Sequence, residues 1–465
     1  MNMINVRRLV VMTFLGAGML SDISAQDFSL QADTLNEARL PAQWDLQSCI
    51  DYALEQNITI RKNRVTAEST QIDVKTAKAA LFPSLSFSTS QQVVNRPYQE
   101  TSSRVSGSEI ISSNSKTSYN GNYGLNASWT IYNGSKRLKT LKQERLNNQI
   151  AELDIATSEN TIKESIAQIY IQILYAAESV RVNENTLQVS IAQRDRGQEL
   201  LNAGSIAKSD FAQLEAQVST DRYQLVTAQA TLQDYKLQLK QLLELDGENE
   251  MNVYLPNLSD ENVLAPLPAK KDVYVSALAI RPEIEASKLN VEASELGIDI
   301  AKSSYFPTVS LSAGIGTNHT SGSDFTFGEQ VKNGWNNSIG LSVSVPIFNN
   351  RQTKSAVQKA RLQRETNMLS LLDEQKALYK TIESLWLDAN SAQQRYAAAN
   401  EKLRSTQISY DLISEQFNLG MKNTVELLTE KNNLLQAQQE QLQAKYMAIL
   451  NTQLLKFYQG DKLTL

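Results

Sequence analysis

Four short segments of this chain alternate strictly between apolar and polar residues, and very long stretches of helical composition separate them. Tyr119, Gly121, Tyr123, Leu125, Ala127, Trp129 and Ile131 alternate with Asn120, Asn122, Gly124, Asn126, Ser128 and Thr130. Ile339, Leu341, Val343, Val345 and Ile347 alternate with Ser338, Gly340, Ser342, Ser344 and Pro346. Two partner segments follow the same rule: Leu85, Phe87 and Thr89 among serines, and Val309, Leu311, Ala313 and Ile315 among Ser and Gly. A period of two predicts strands, at about 84–94, 119–131, 308–316 and 337–347. None of the four contains Asp, Glu, Lys or Arg, and their lengths fit the roughly 9–11 residues that a tilted strand needs to cross a bilayer. Phe82, Trp129, Tyr132, Tyr305, Phe306 and Phe348 gather at the ends nearest the helices, as an interfacial aromatic girdle does.

The helical stretches Lys136–Arg196 and Arg351–Leu419 lack Gly and Pro and are rich in Ala, Gln, Glu, Leu and Lys. At 1.5 Å per residue such helices reach roughly 90–100 Å, which suits a tube or coiled-coil assembly rather than a compact domain. Apolar residues lie on more than one face, as in Ile162, Ile166, Ile169, Ile173 and Leu174.

The chain also repeats itself. Ala53-Leu54, Ala77-Lys78 and Phe82-Pro83-Ser84 recur 224 positions later as Ala277-Leu278, Ala301-Lys302 and Phe306-Pro307-Thr308. Ile131-Tyr132-Asn133-Gly134 recurs 216 positions later as Ile347-Phe348-Asn349-Asn350, and Gly204 recurs as Gly420. The difference of eight residues falls in a Ser-rich stretch, Thr101 to Ser118, predicted to be a loop. The predicted organisation is a signal segment 1–25, a first repeat 26–245, a linker 246–271 carrying Pro256, Pro266 and Pro268, and a second repeat 272–460. Each repeat reads as helix, two strands, a very long helix, a turn and another long helix. The long helices are expected at 136–197 and 205–245, then at 351–418 and 421–459.

Arg7 and Arg8, the apolar run Leu9–Leu20 and Ile23-Ser24-Ala25 form a secretion signal, with cleavage expected after Ala25. Four strands cannot close a barrel, and lipid does not tolerate an open sheet edge. Closure therefore needs several chains. Two copies would give eight strands and a filled interior, whereas three would give twelve and a pore. The remaining composition mainly excludes. A net charge of −5 with no dense basic patch argues against a nucleic-acid partner. One Cys and one His leave no disulfide framework, no zinc or iron site and no cofactor to expect. Catalysis through a histidine would have to use His319, which reads as a loop residue. Cys49 follows Leu46-Gln47-Ser48 in a weak lipoprotein-like context, but Leu46, Cys49, Ile50 and Ala53 share one helical face, which predicts a core position.

The duplicated motifs resemble the TolC-like outer-membrane efflux protein family over roughly Trp44 to Tyr458. The carriers are Trp44-Asp45-Leu46, Ala53-Leu54-Glu55-Gln56-Asn57, Ala79-Ala80-Leu81-Phe82-Pro83-Ser84-Leu85 and Arg281-Pro282-Glu283-Ile284. Two turn motifs complete the set: Asn202-Ala203-Gly204 with Ser209-Asp210, and Phe417-Asn418-Leu419-Gly420 through Glu426-Leu427-Leu428. The resemblance implies a mainly α protein with a transmembrane β part, in which a homotrimer shares a 12-stranded β-barrel continued by a periplasmic α-barrel. It also implies an outer-membrane exit duct embedded in lipid, joined through a periplasmic adaptor to an inner-membrane RND or ABC transporter. By the same resemblance Glu426, Asp210 and Lys422 stand at the periplasmic gate, beside the tip turns Gly204 and Gly420. Ser209 replaces a threonine, Phe417 a tyrosine and Thr429 a second constriction aspartate. Lys422 is expected to latch onto Asp210.

The function expected is small-molecule efflux through a passive conduit, not an enzyme. The alternative in transport is a type I protein secretion channel, which uses the same architecture. One His and one Cys provide no soft-ligand path for metal efflux, although the eight Met leave it open. Outside transport, a structural coiled-coil surface protein would not need charge-free alternating strands.

Overall fold

The structure, a computed structural model, describes residues 41–98, 102–106, 109–113, 116–246, 251–256, 263–321, 323 and 325–464. The signal segment expected at 1–25 lies outside the described residues. A small unit joins the segments around Trp44 and Val253 by a parallel bridge, in which Trp44 N–H donates to Asn252 O at 2.8 Å. All elements below belong to the second, larger unit.

Duplication governs the element order. The first half runs α1 (Leu46–Gln56), α2 (Ile58–Ala79), β1 (Ser84–Asn95), β2 (Ser102–Ser106), β3 (Glu109–Ser113), β4 (Thr117–Asn133), α3 (Lys136–Asn202) and α4 (Lys208–Leu242). The second runs α5 (Lys270–Ile280), α6 (Pro282–Ser303), β5 (Thr308–Thr320), α7 (Phe327–Asn333), β6 (Asn336–Ser344), α8 (Gln352–Asn418) and α9 (Thr424–Gln459). Corresponding helices have 11, 22 and 67 residues in both halves, then 35 in the first and 36 in the second.

Local chemistry explains the joints. Between α1 and α2, Asn57 is extended and its side chain accepts from Thr59 N at 2.9 Å, capping the new helix. Arg281 takes the same extended conformation between α5 and α6, where Pro282 both disfavours a helical predecessor and suits the first helical position. Strand passes to long helix through two successive left-handed residues in each half, Gly134-Ser135 and Asn350-Arg351. Gly134 is required there, since a Cβ would stand 2.7 Å from Ser303 O.

The four long strands form one antiparallel sheet in the order β1-β4-β5-β6. Its register sorts the side chains into two faces. Leu85, Ala127, Ala313 and Ile339 form one cross-strand row, and Trp129, Leu311 and Leu341 another. On the opposite face Ser86, Asn126, Gly314 and Ser338 align, as do Ser84, Ser128, Ser312 and Gly340. Within the chain the apolar face is bare: Ile339 is 83% and Leu341 65% exposed. Trp129 in the aromatic band donates its indole N–H to Leu81 O at 2.8 Å. No described helix is long and apolar enough to cross a membrane.

Three expectations change. Part of the Ser-rich stretch predicted as a loop is a second antiparallel pair, β2–β3. Strand β6 stops at Ser344, short of Val345 and Ile347, because Pro346 has no N–H for the ladder. His319 lies in strand β5 opposite Gly121, not in a loop, and its ring is 5.2 Å from Tyr119, 5.8 Å from Tyr123 and 4.9 Å from Phe327. Gly121 leaves that space, since a Cβ there would meet His319 Cε1 at 2.1 Å. Cys49 is fully buried on the α1 face with Leu46, Ile50 and Ala53, and burial pushes its thiol up to about 12.

Candidate channel gate

Both helical hairpins turn through the same hydrogen-bonded cap. In the first, Ser205 N–H reaches Leu200 O at 2.8 Å and Gly204 N–H reaches Leu201 O at 3.0 Å. In the second, Met421 N–H reaches Gln416 O at 2.8 Å and Gly420 N–H reaches Phe417 O at 2.9 Å. Gly204 (φ +72°) and Gly420 (φ +74°) supply the left-handed residue that such a helix end needs. Helix α3 runs five residues past Gly197 before this turn, beyond the end expected from the sequence. Gly197 serves close packing instead: a Cβ would meet Leu214 Cδ1 at 2.3 Å.

Each returning helix then opens with an acidic residue three positions after its cap. Asp210 accepts from Ala207 N–H at 3.2 Å. Glu426 accepts from Asn423 N–H at 3.2 Å while Asn423 accepts from Glu426 N–H at 2.9 Å, a reciprocal capping box. Glu426 also receives Lys422 Nζ at 2.6 Å. The Lys422 hydrogen bond first, and the Asn423 N–H second, hold the Glu426 carboxyl below the usual glutamate value.

The expected Lys422–Asp210 latch is therefore not formed. Lys422 has a carboxylate four residues along its own chain, and i,i+4 neighbours on one turn meet without ordering a second hairpin. Among the described residues Asp210 makes no ion pair. Phe417 is 2% exposed and forms a tip core with Tyr410, Leu427 and Leu434, against Leu200 of α3. Thr429 is exposed and donates back to Val425 O at 2.7 Å, and Ser209 is exposed. The structure thus brings Lys422 and Glu426 together. Asp210, Ser209 and Thr429 remain on their own helices.

Two ionic ties between the halves were not read from the sequence. Lys431 of α9 donates to Asp221 of α4 and to Ser190 of α3, and Ser190 donates to the same Asp221 oxygen. All three are at most 3% exposed. Burial is the main influence on Lys431 and lowers its pKa, opposed by the Asp221 hydrogen bond and charge. A signal was present: Lys431 interrupts the buried series Thr424, Leu427 and Leu434, and Asp221 follows Leu214 and Val218 at helical spacing. The second tie explains one quoted motif. Arg281 lies 2.8 Å from Glu164 of α3, with its guanidinium 3.6 Å from the Tyr458 ring centroid. Burial outweighs that contact and raises the Glu164 pKa.

Comparisons with known proteins match the same two-part arrangement. A model described as outer membrane efflux protein matches residues 49–244 and 273–460. The outer membrane efflux protein BepC of Brucella suis is 24% identical over 294 residues, covering 63% of this chain and 61% of BepC. The outer membrane protein TolC of Escherichia coli is 25% identical over 341 residues, covering 70% of this chain and 66% of TolC. The aligned segments thus span a little under two thirds of both relatives. The solved structure of CusC superposes with a TM-score of 0.76 at 19% identity, over 90% of this chain and 92% of that one.

Proposed function

The chain belongs to the outer membrane efflux protein family, and from that premise we propose that three copies build one exit duct through the outer membrane. The observation that carries this reading is the two-faced sheet with free edges on β1 and β6. Lipid provides no partner for those edges. Pairing β1 of one copy with β6 of the next removes them, and the third copy closes a ring of twelve strands. The apolar rows containing Ile339 and Leu341 then face lipid, and the Ser, Asn and Gly rows line the pore.

The paired 67-residue helices extend the duct into the periplasm, each spanning about 100 Å. Their turns form the far mouth, where the Lys422–Glu426 pair, Asp210 and the Phe417 core make the gate. Nothing in this machinery turns over a substrate. Export would be driven by an inner-membrane RND or ABC transporter through a periplasmic adaptor, and the cargo would be small molecules such as drugs.

Deleting the gene and measuring susceptibility tests the cargo. Small amphiphilic antibiotics should become more toxic, and restoring the gene should reverse this. Unchanged susceptibility together with loss of a protein from the culture medium would contradict small-molecule efflux and favour protein secretion.

A further inference from the structure

Where the sheet meets the helices, a cleft of about 540 Å³ lies between the end of α6 and the first turns of α8. Lys302, Lys354 and Arg361 line it together with Tyr305, Phe306 and Val357. Lys302 is engaged by Asp299 at 3.2 Å. Lys354 and Arg361 have no carboxylate within 4 Å among the described residues. The combination is unusual for a helix start. Helix α8 follows Arg351 and carries Lys354, Lys359, Arg361 and Arg364 before its first acid, Glu365, and neither α8 nor α3 has an acidic residue in its first turn. The partial positive charge of a helix N-terminus favours acids in its first turn, so Arg351 and Lys354 work against local helix stability.

From this cleft we propose a site for an anionic phospholipid of the periplasmic leaflet, its phosphate held by Lys354 and Arg361 and its glycerol and upper acyl region against Tyr305, Phe306 and Val357. The level is right for a headgroup. Exposed Tyr132, Tyr305, Phe306 and Phe348 mark the bilayer interface at this end of the sheet, and the apolar rows begin immediately beyond, at Val309 and Val343. Unpaired cations at that depth attract anionic headgroups, and Arg offers a planar fork to phosphate. The inference rests on the sheet lying in the outer membrane.

The test is native mass spectrometry of the detergent-purified protein titrated with phosphatidylglycerol, with phosphatidylcholine or with inorganic phosphate. Phosphatidylglycerol should bind at least about tenfold more tightly than phosphatidylcholine, and less tightly as salt rises. The double variant Lys354→Gln/Arg361→Gln should lose roughly tenfold or more of that affinity. Lys359→Gln, the same charge change outside the cleft, should bind as the parent does. Equal binding of the two lipids, or an unaltered double variant, would overturn the site. Displacement of the lipid by millimolar phosphate would identify a free-anion site and overturn the lipid assignment. The intact mass in each spectrum reports assembly, and if the double variant fails to assemble, the lipid preference of Arg361→Gln alone decides. Absence of the parent protein from the outer-membrane fraction would instead contradict the placement of the sheet, so the two failures are distinguishable.

Discussion

Lys431 of α9 and Asp221 of α4 form a buried ion pair that ties the second helical hairpin to the first. Removing one partner of such a pair leaves a desolvated charge, which costs about 3–5 kcal/mol, whereas an apolar pair of similar volume is often neutral or stabilising. Lys431→Met should therefore destabilise the purified protein by that amount in denaturant unfolding. Lys431→Met with Asp221→Leu should recover most of the loss. If the single variant is as stable as the parent, the pair does not join the halves.

At the tip, Lys422 pairs with the Glu426 carboxylate and offsets its charge. The two residues should then act in opposite directions in planar-bilayer recordings. Glu426→Gln should weaken cation preference and block by multivalent cations from the periplasmic side, and Lys422→Met should strengthen both. Lys422→Glu disrupts a contact confined to one hairpin, so resting conductance should stay at the parent level. A rise in resting conductance that adding Asp210→Lys reverses would show instead that a latch crosses between hairpins.

The same contact fixes a pH dependence. Glu426 binds its proton less readily in the folded tip than in an unfolded chain. Its stabilising contribution is therefore complete above the ordinary glutamate value and is lost only as pH falls through the lowered folded value. Cation selectivity should persist on acidification to the ordinary glutamate value of about 4.3 and decline only below it. In Lys422→Met the decline should move to higher pH. A parent transition above pH 5 would contradict the pairing.

The sheet was legible because alternation and the absence of charge are properties of consecutive residues. Row partners such as Leu85 and Ile339 could then be assigned to one face before any register was known. The long helices were legible from composition and from the missing Gly and Pro, although Gly197 showed that one glycine can serve packing rather than a turn. What pairs with what at the tip was not legible. Lys422 has acidic candidates in both hairpins, and only the capping geometry of Asn423 turns Glu426 toward it. The Lys431–Asp221–Ser190 cluster was missed for a related reason: each residue alone reads as a solvated helix surface, and its burial depends on three helices from two repeats. His319 was misplaced because the Gly and Ser around it suggested a loop, whereas Gly121 across the ladder makes room for its ring.

The two faces of the sheet should respond differently to charge. Ile339→Lys places a cation on the apolar face near mid-strand and should cost about 2–4 kcal/mol in a lipid environment. Ser338→Lys, one residue away on the opposite face, should be tolerated much better. Unfolding from lipid vesicles by urea measures both, and equal costs would mean that neither face meets lipid.

Closure by three copies is tested most directly by the mass of the particle extracted from outer membranes, measured by native mass spectrometry in mild detergent. The predicted result is a single species of three chains, which brings twelve strands together and leaves no free edge on β1 or β6. A monomer, or a dimer with only eight strands, would contradict the shared barrel.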